Sequence, residues 1–220
     1  MVLNTVGMRT RMSRAAQVER NRELLLDAAR RVFLDRGYVG ATLDAIAEEA
    51  GFSKGVVYSQ FAGKADLFLA LLGERIEQRG QQNERAAESL AGSAAIDALL
   101  QAARRDAEAE AGWALLLVEF RAQAARDPEI NLRYAHLHAQ AIDRFAGLLA
   151  RAHEDAGLEP VFPLRHLAEF IMAMGPAYAL ESAVHPAALP PYVFRGMVLA
   201  ALGLSPDLPE VSDRATQETP

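Results

Sequence analysis

The sequence predicts an all-α chain, and three observations carry that reading. Apolar residues recur at three- and four-residue spacings through most of its length. Gly, Pro and clusters of charge punctuate those runs where helices would start and stop. No segment alternates apolar and polar residues as a half-buried strand would.

Length and composition narrow the class. The 220 residues suffice for a small domain plus a larger one, or for one large helical domain, and 51% of them are apolar, enough for a well-buried core. There is no cysteine, which removes disulfides, zinc–cysteine sites and thiol nucleophiles together and fits a reducing compartment. The opening MVLNTVGMRTRMSR has no apolar run of signal-peptide length. The densest apolar stretch, about Phe170 to Leu180, is interrupted by Gly175 and Pro176 and is too short to span a bilayer. A cytoplasmic protein with no membrane partner is expected.

Nine helices are predicted in order. Leu25, Ala28, Ala29, Val32 and Phe33 form the inner stripe of a helix that stops at Gly37, and Leu43, Ile46, Ala47 and Ala50 that of a short one. Thr42 is placed as the N-cap of this second helix, and Gly51 ends it. Ser53 can cap a third, with Val57 and Phe61 inward, and Lys64 opens a long fourth through Leu67, Leu71 and Ile76 to about Glu88. A fifth begins at Gly92-Ser93, and a sixth follows Gly112 with Leu115, Leu116, Leu117 and Phe120. Asp127-Pro128 reads as a cap followed by proline in the first turn, opening a seventh that runs to Gly157. Pro163 starts an eighth to about Val184, and Pro190-Pro191 precede a ninth through Leu202. Residues 205–220 are polar and proline-containing and are expected to be a disordered tail.

Charge separates the two ends of the chain. The whole carries −6, but residues 1–64 hold ten Lys/Arg and seven Asp/Glu, against thirteen and twenty-two in the remainder. A mildly basic head on an acidic body suits a separate nucleic-acid-reading domain. Residues 37–67, GYVGATLDAIAEEAGFSKGVVYSQFAGKADL, contain two short helices around a Gly turn. On spacing alone a helix-turn-helix and an ordinary hairpin within a larger bundle fit equally. The outward residues of the second helix of the pair are Lys54, Gly55, Val56, Ser59 and Gln60, short, flexible or hydrogen-bonding as a major groove requires.

The residues themselves favour the first. Gly37-Tyr38, Thr42, Ile46-Ala47, Ala50-Gly51, Ser53-Lys54-Gly55, Tyr58, Phe61, Lys64 and Leu67 closely resemble, over about thirty residues, the DNA-binding region of the TetR family of bacterial repressors. The resemblance implies that Thr42, Tyr58 and Lys64 contact DNA phosphates, while Lys54, Gly55, Val56, Ser59 and Gln60 face the bases. Physics agrees: hydroxyls and an ammonium suit phosphate, Val56 can meet a thymine methyl, and Lys54 can donate to guanine. Thr42 also reads as a plain cap and Tyr58 as partly core.

Four segments are expected: a flexible basic arm over residues 1–17, with Arg9, Arg11 and Arg14; a DNA-binding domain over 18–64; a helical domain over 65–204; and the tail. In TetR-like proteins the larger part holds an effector and forms a homodimer. Candidate pocket residues are Trp113, Phe120, Tyr134, His138, Phe145, Met172 and Tyr178, although an aromatic stripe reads equally as core. Helices eight and nine look apolar on more than one face, so Phe170, Met174, Ala177, Gly196, Leu199 and Ala200 are placed at a dimer interface. His136 and His138, two apart on a helix, cannot easily share a metal. With no cysteine, phosphate loop or metal-spaced cluster, no enzyme activity, cofactor or metal is expected. The implied function is a repressor that binds palindromic operator DNA as a homodimer and is released by a small molecule. The alternatives are a regulator without an effector, or an activator.

Overall fold

The computed structural model describes residues 13–88, 90–109, 111–185 and 190–205, and among them every regular element is an α-helix. The chain divides into two compact units, the first ending at Leu71 and the second beginning at Leu72. The boundary falls later than the expected residue 64, because Leu67 and Phe68 are fully buried in the core of the first unit.

In the first unit, α1 (Arg14–Gly40), α2 (Leu43–Ala50), α3 (Lys54–Gln60) and the start of α4 (Lys64–Glu88) surround an aromatic centre. Phe68 meets Phe33 and Tyr38 edge-on at centroid separations of 5.3 and 5.2 Å, and Phe33 stacks on Tyr38 at 5.9 Å. Leu25, Ile46 and Val57 complete the packing, and burying each side chain of this size contributes about 1.5–3 kcal/mol. Helix α1 starts earlier than expected. The Ser13 hydroxyl accepts from the Ala16 amide at 3.1 Å, so residues 14–17 of the expected arm are helical. The rest of that arm, residues 1–12, lies outside the described residues. The predicted break at Gly37 is present at φ 69° and ψ 173°, after which one further helical turn brings Tyr38 back into the core.

The second unit contains the remainder of α4 with α5 (Gly92–Ala109), α6 (Ala111–Ala124), α7 (Pro128–Ala156), α8 (Leu164–Val184) and α9 (Pro191–Ala201). Helix α7 packs on α5 and α8, and α6 on α8. Its core gathers Ile96 and Leu99 of α5, Leu148 and Leu149 of α7, Ala168 of α8 and Leu202 after α9. The predicted caps of α7 are both present. The Asp127 carboxylate accepts from the amides of Glu129 and Ile130 at 3.0 and 3.2 Å, and Gly157 ends the helix in the left-handed region. His153 is the buried polar group of this core, its ring nitrogens 2.9 Å from the carbonyls of Leu149 and Leu202, which ties the end of α9 to α7. Beyond residue 205 the expected disordered tail lies outside the described residues.

Candidate nucleic-acid interface and ligand cavity

The turn between α2 and α3 is set by hydrogen bonds that the sequence makes available. Thr42 accepts from the Ala45 amide at 3.1 Å through its hydroxyl, starting α2. At its other end Gly51 takes φ 71°, and the amides of Gly51 and Phe52 close onto Glu48 and Ala47 at 3.0 and 2.9 Å. The second helix of the pair is anchored inward by Val57 and Phe61, both buried, with the Arg22 guanidinium 4.8 Å from the Phe61 ring centroid. Arg31 of α1 donates to Glu49 of α2 at 2.6 Å and fixes the two helices at the surface.

With α3 held from behind, its outer face is open. Lys54, Gly55, Tyr58 and Ser59 are exposed, Val56 and Gln60 half-buried, and Tyr58 presents 58% of its surface to solvent. A side-chain carbon at Gly55 would meet only the Ser53 hydroxyl, at 3.8 Å. The Ser53 side chain makes no capping bond to α3. Lys54 forms a surface ion pair with Asp44 of α2, which holds its ammonium protonated above the usual lysine range. An exposed pair of this kind is weak and yields readily to a competing acceptor.

Lys64 has another occupation from the phosphate contact expected of it. Its ammonium donates to the carbonyls of Tyr38, Val39 and Ala41 at 2.7, 3.2 and 3.0 Å and lies 4.7 Å from the Tyr38 ring centroid. Three N–H groups therefore serve three carbonyls left over where α1 ends. Thr42 and Tyr58 carry no such commitment away from solvent, so of the three expected phosphate ligands Lys64 is the one whose donors are already engaged.

The second unit contains a cavity of about 270 Å³. Its walls are Leu72, Ile76 and Asn83 of α4, Leu117 of α6, Ala141 and Leu148 of α7, and Ile171, Gly175 and Pro176 of α8, with other residues between them. Five of the seven expected pocket residues line it: Trp113, Tyr134, His138, Phe145 and Met172. Phe120 does not; it is fully buried behind the wall, edge-on to Tyr134 at 5.8 Å. Tyr178 is not among the lining residues either, since α8 meets the cavity through residues 171–176.

Four arginines, Arg75, Arg79, Arg121 and Arg144, also line the cavity, and sequence reasoning missed them. The signal was there: Leu72, Arg75, Ile76, Arg79 and Asn83 share one helix stripe at three- and four-residue spacing, interleaving cations with apolar positions. Arg144 is matched by acids of α4. It meets Glu84 through two bonds of 2.9 and 3.0 Å and Glu77 through one of 2.8 Å, an arrangement that raises its own pKa and lowers that of Glu84. Gly80 permits this, because a side-chain carbon there would fall 2.4 Å from the guanidinium carbon. Arg75 lies 4.6 Å from the Trp113 ring centroid. Arg121 donates through Nε to the Tyr134 hydroxyl, and His138 stacks on that ring at a centroid separation of 5.4 Å. Burial raises the Tyr134 pKa, and burial first and the Arg121 charge second lower that of His138. Among the described residues no group of three His, Asp or Glu side chains is placed to hold a metal ion.

Residues 25–71 match the family described as bacterial regulatory proteins, tetR family. This N-terminal segment is of the TetR family. The matched segment runs from the buried face of α1 to the first turns of α4, the same elements that build the helix-turn-helix. Over 71 residues the chain is 44% identical to the transcriptional activator FasR of Mycolicibacterium smegmatis, spanning 32% of each protein's length. It is 28% identical over 137 residues to the transcriptional repressor AcnR of Corynebacterium efficiens, covering 62% of this chain and 68% of that one. Solved structures share the architecture. A transcriptional regulator of Pseudomonas aeruginosa PAO1 aligns over 84% of this chain and 89% of its own, at TM-score 0.66 and 20% identity. Two others were solved with ligands. FadR of Bacillus subtilis with stearoyl-CoA aligns at TM-score 0.54 and 16% identity over 82% of this chain and 95% of its own. A regulator of Saccharomonospora viridis with choline aligns at 0.62 and 16% over 77% and 88%.

The expected dimer residues divide by burial. Phe170, Ala177 and Ala200 are exposed and Met174 half-buried, but Gly196 is buried and Leu199 is only 4% exposed within the core of its own unit. Those two are therefore withdrawn from an interface role: α9 turns that side inward, toward the core that contains Leu202. The exposed apolar surface includes residues the sequence reading did not place at the interface, namely Leu180 and Val184 on α8 and Tyr192 and Met197 on α9. Phe170, Ala173, Ala177, Leu180 and Val184 share one stripe of α8.

Proposed function

We propose that this chain is a sequence-specific DNA-binding transcriptional regulator that represses its target and leaves its operator when a small molecule occupies the second unit. The observation that carries the reading is the exposed α3 face. Lys54, Gly55, Val56, Ser59 and Gln60 lie on a short helix pinned from behind, within residues 25–71, which match the tetR family of bacterial regulatory proteins. Thr42 and Tyr58 supply hydroxyls for phosphate, and Lys54, once released from Asp44, supplies the guanine donor.

The exposed α8–α9 surface supports a homodimer, whose two-fold pair of recognition helices would match half-sites about 34–36 Å apart on palindromic DNA. The cavity supports an effector over a regulator that has none. Helix α4 contributes cavity residues from Leu72 onward and, at its start, Lys64 to the first unit, so it is the element through which occupancy would be felt. Such a switch requires the ligand to bind one conformation better than the other. An activator is the second reading, and the FasR similarity motivates it; that similarity lies in the DNA-binding segment and leaves the direction of regulation open.

The test is titration of purified protein against DNA upstream of its own gene and against a scrambled duplex, at two salt concentrations. Saturable binding that prefers the upstream sequence is expected. Equal, salt-sensitive binding to both would move the operator elsewhere, and no binding at low salt would refute the helix-turn-helix reading.

A further inference from the structure

The cavity's polar atoms point to one charge class of ligand. The solved relatives show that the shared architecture is compatible with ligands as different as stearoyl-CoA and choline, so the lining must decide. No Asp or Glu lines the cavity among the described residues, whereas four guanidiniums do. They are not equivalent. Arg144 is neutralised by Glu77 and Glu84, and Arg75 is laid over Trp113.

Arg121 differs from both. It is half-buried and has no carboxylate within ion-pair distance among the described residues. The nearby Glu169 is paired with Arg165. Its Nε donates to the Tyr134 hydroxyl, which orients the guanidinium plane and leaves Nη1 and Nη2 as an end-on fork. Half-burial makes an unmatched cation costly, and an incoming anion would relieve that cost. His138, stacked on Tyr134, also lines the cavity, and apolar side chains such as Leu117, Ile171 and Met172 form much of the remaining wall.

We infer that the cavity binds a small monocarboxylate with an apolar body, its carboxylate held end-on by Arg121 and its body among the apolar side chains of α6, α7 and α8. This rests on reading the cavity as the effector site. Cationic ligands are disfavoured by the same guanidiniums. The cavity volume, just below the roughly 300–1,000 Å³ of pockets for drug-sized ligands, favours a compact molecule.

The test uses the full chain and two matched series of probes at neutral pH by calorimetry: octanoate, octanol and octylammonium; naphthoate, naphthylmethanol and naphthylmethylammonium. The expected result is that in at least one series the carboxylate binds roughly tenfold or more tightly than its neutral and cationic analogues. Arg121→Gln should abolish that preference while leaving the weak binding of the alcohol in place. Arg121→Lys, which keeps the charge without the fork, should retain part of it, and carries the test if the glutamine variant does not fold. Equal binding of carboxylate and alcohol, a preference for the ammonium, an intact preference in Arg121→Gln, or no binding by either carboxylate would each overturn the assignment. Binding to the upstream duplex, measured on the same preparation without any probe, separates these failures from failure of the regulator reading. A neutral or cationic compound that released that duplex would overturn the anion assignment and leave the regulator standing.

Discussion

At Gly51 the backbone turns through φ 71°, and nothing lies within 4 Å of where a side chain would go, so the whole cost of replacing it is conformational. An alanine forced into the left-handed region loses about 1–2 kcal/mol. Gly55 presents the reverse case. Its backbone is helical and the space beside it open, so Gly55→Ala should stabilise α3 by about 0.5–1 kcal/mol. Its place on the outer face makes the added methyl an obstacle to close approach of DNA. The expected outcome is a crossed pair: Gly51→Ala lowers the thermal midpoint, while Gly55→Ala preserves or raises it and weakens operator binding. Thermal melts and duplex titrations of both variants decide it. Unchanged affinity in Gly55→Ala would mean that DNA does not approach this point of α3.

At the scale of elements, Lys64 links the end of α1 to the start of α4. Its three carbonyl acceptors belong to residues 38, 39 and 41, the last turn of α1 and the residue that follows it. Hydrogen bonds from a charged donor are worth about 1.5–3 kcal/mol, and Lys64→Met keeps the methylenes while removing all of them. We expect the first unit to melt earlier and DNA affinity to fall on every sequence, with the slope of log affinity against log salt unchanged. A slope reduced by about one charge would restore Lys64 to phosphate contact. This element was legible in the sequence only in part. The caps at Thr42, Asp127 and Gly157 could be read directly because each is a local hydrogen bond or a local dihedral angle. The Lys64 bonds span more than twenty positions, and no local pattern announces them. The cavity arginines carried a local sign only on α4, where Arg75 and Arg79 interleave with apolar positions. A cation on a helix stripe is ordinarily solvated, and only the packing of α4 against α6 and α7 residues turns Arg75, Arg121 and Arg144 toward a shared space. Phe120 erred in the opposite direction, because an aromatic at pocket spacing sits one layer too deep.

For the whole molecule the unsettled surface is the apolar stripe of α8. Val184 is 78% exposed, Phe170 48% and Leu180 42%, with Ala173 and Ala177 between them, and Met197 of α9 adds 61%. Scattered exposed apolar residues are ordinary, but a continuous stripe on consecutive turns marks an interaction surface. The small residues at its centre would let a second copy of α8 approach closely. Ala177→Glu places a carboxylate where two such stripes would cross, next to its own symmetry mate, so repulsion should oppose association. Because Ala177 is exposed in the single chain, the fold itself should be spared. Sedimentation of wild type should then give a dimer and of Ala177→Glu a monomer with the same helical content. Operator affinity should fall by about 10²–10⁴-fold, since each recognition helix would bind its half-site without the effective concentration supplied by its partner. A variant that remained dimeric would shift the interface off this stripe, and a monomeric wild type that still bound a palindromic operator tightly would remove the two-fold arrangement altogether.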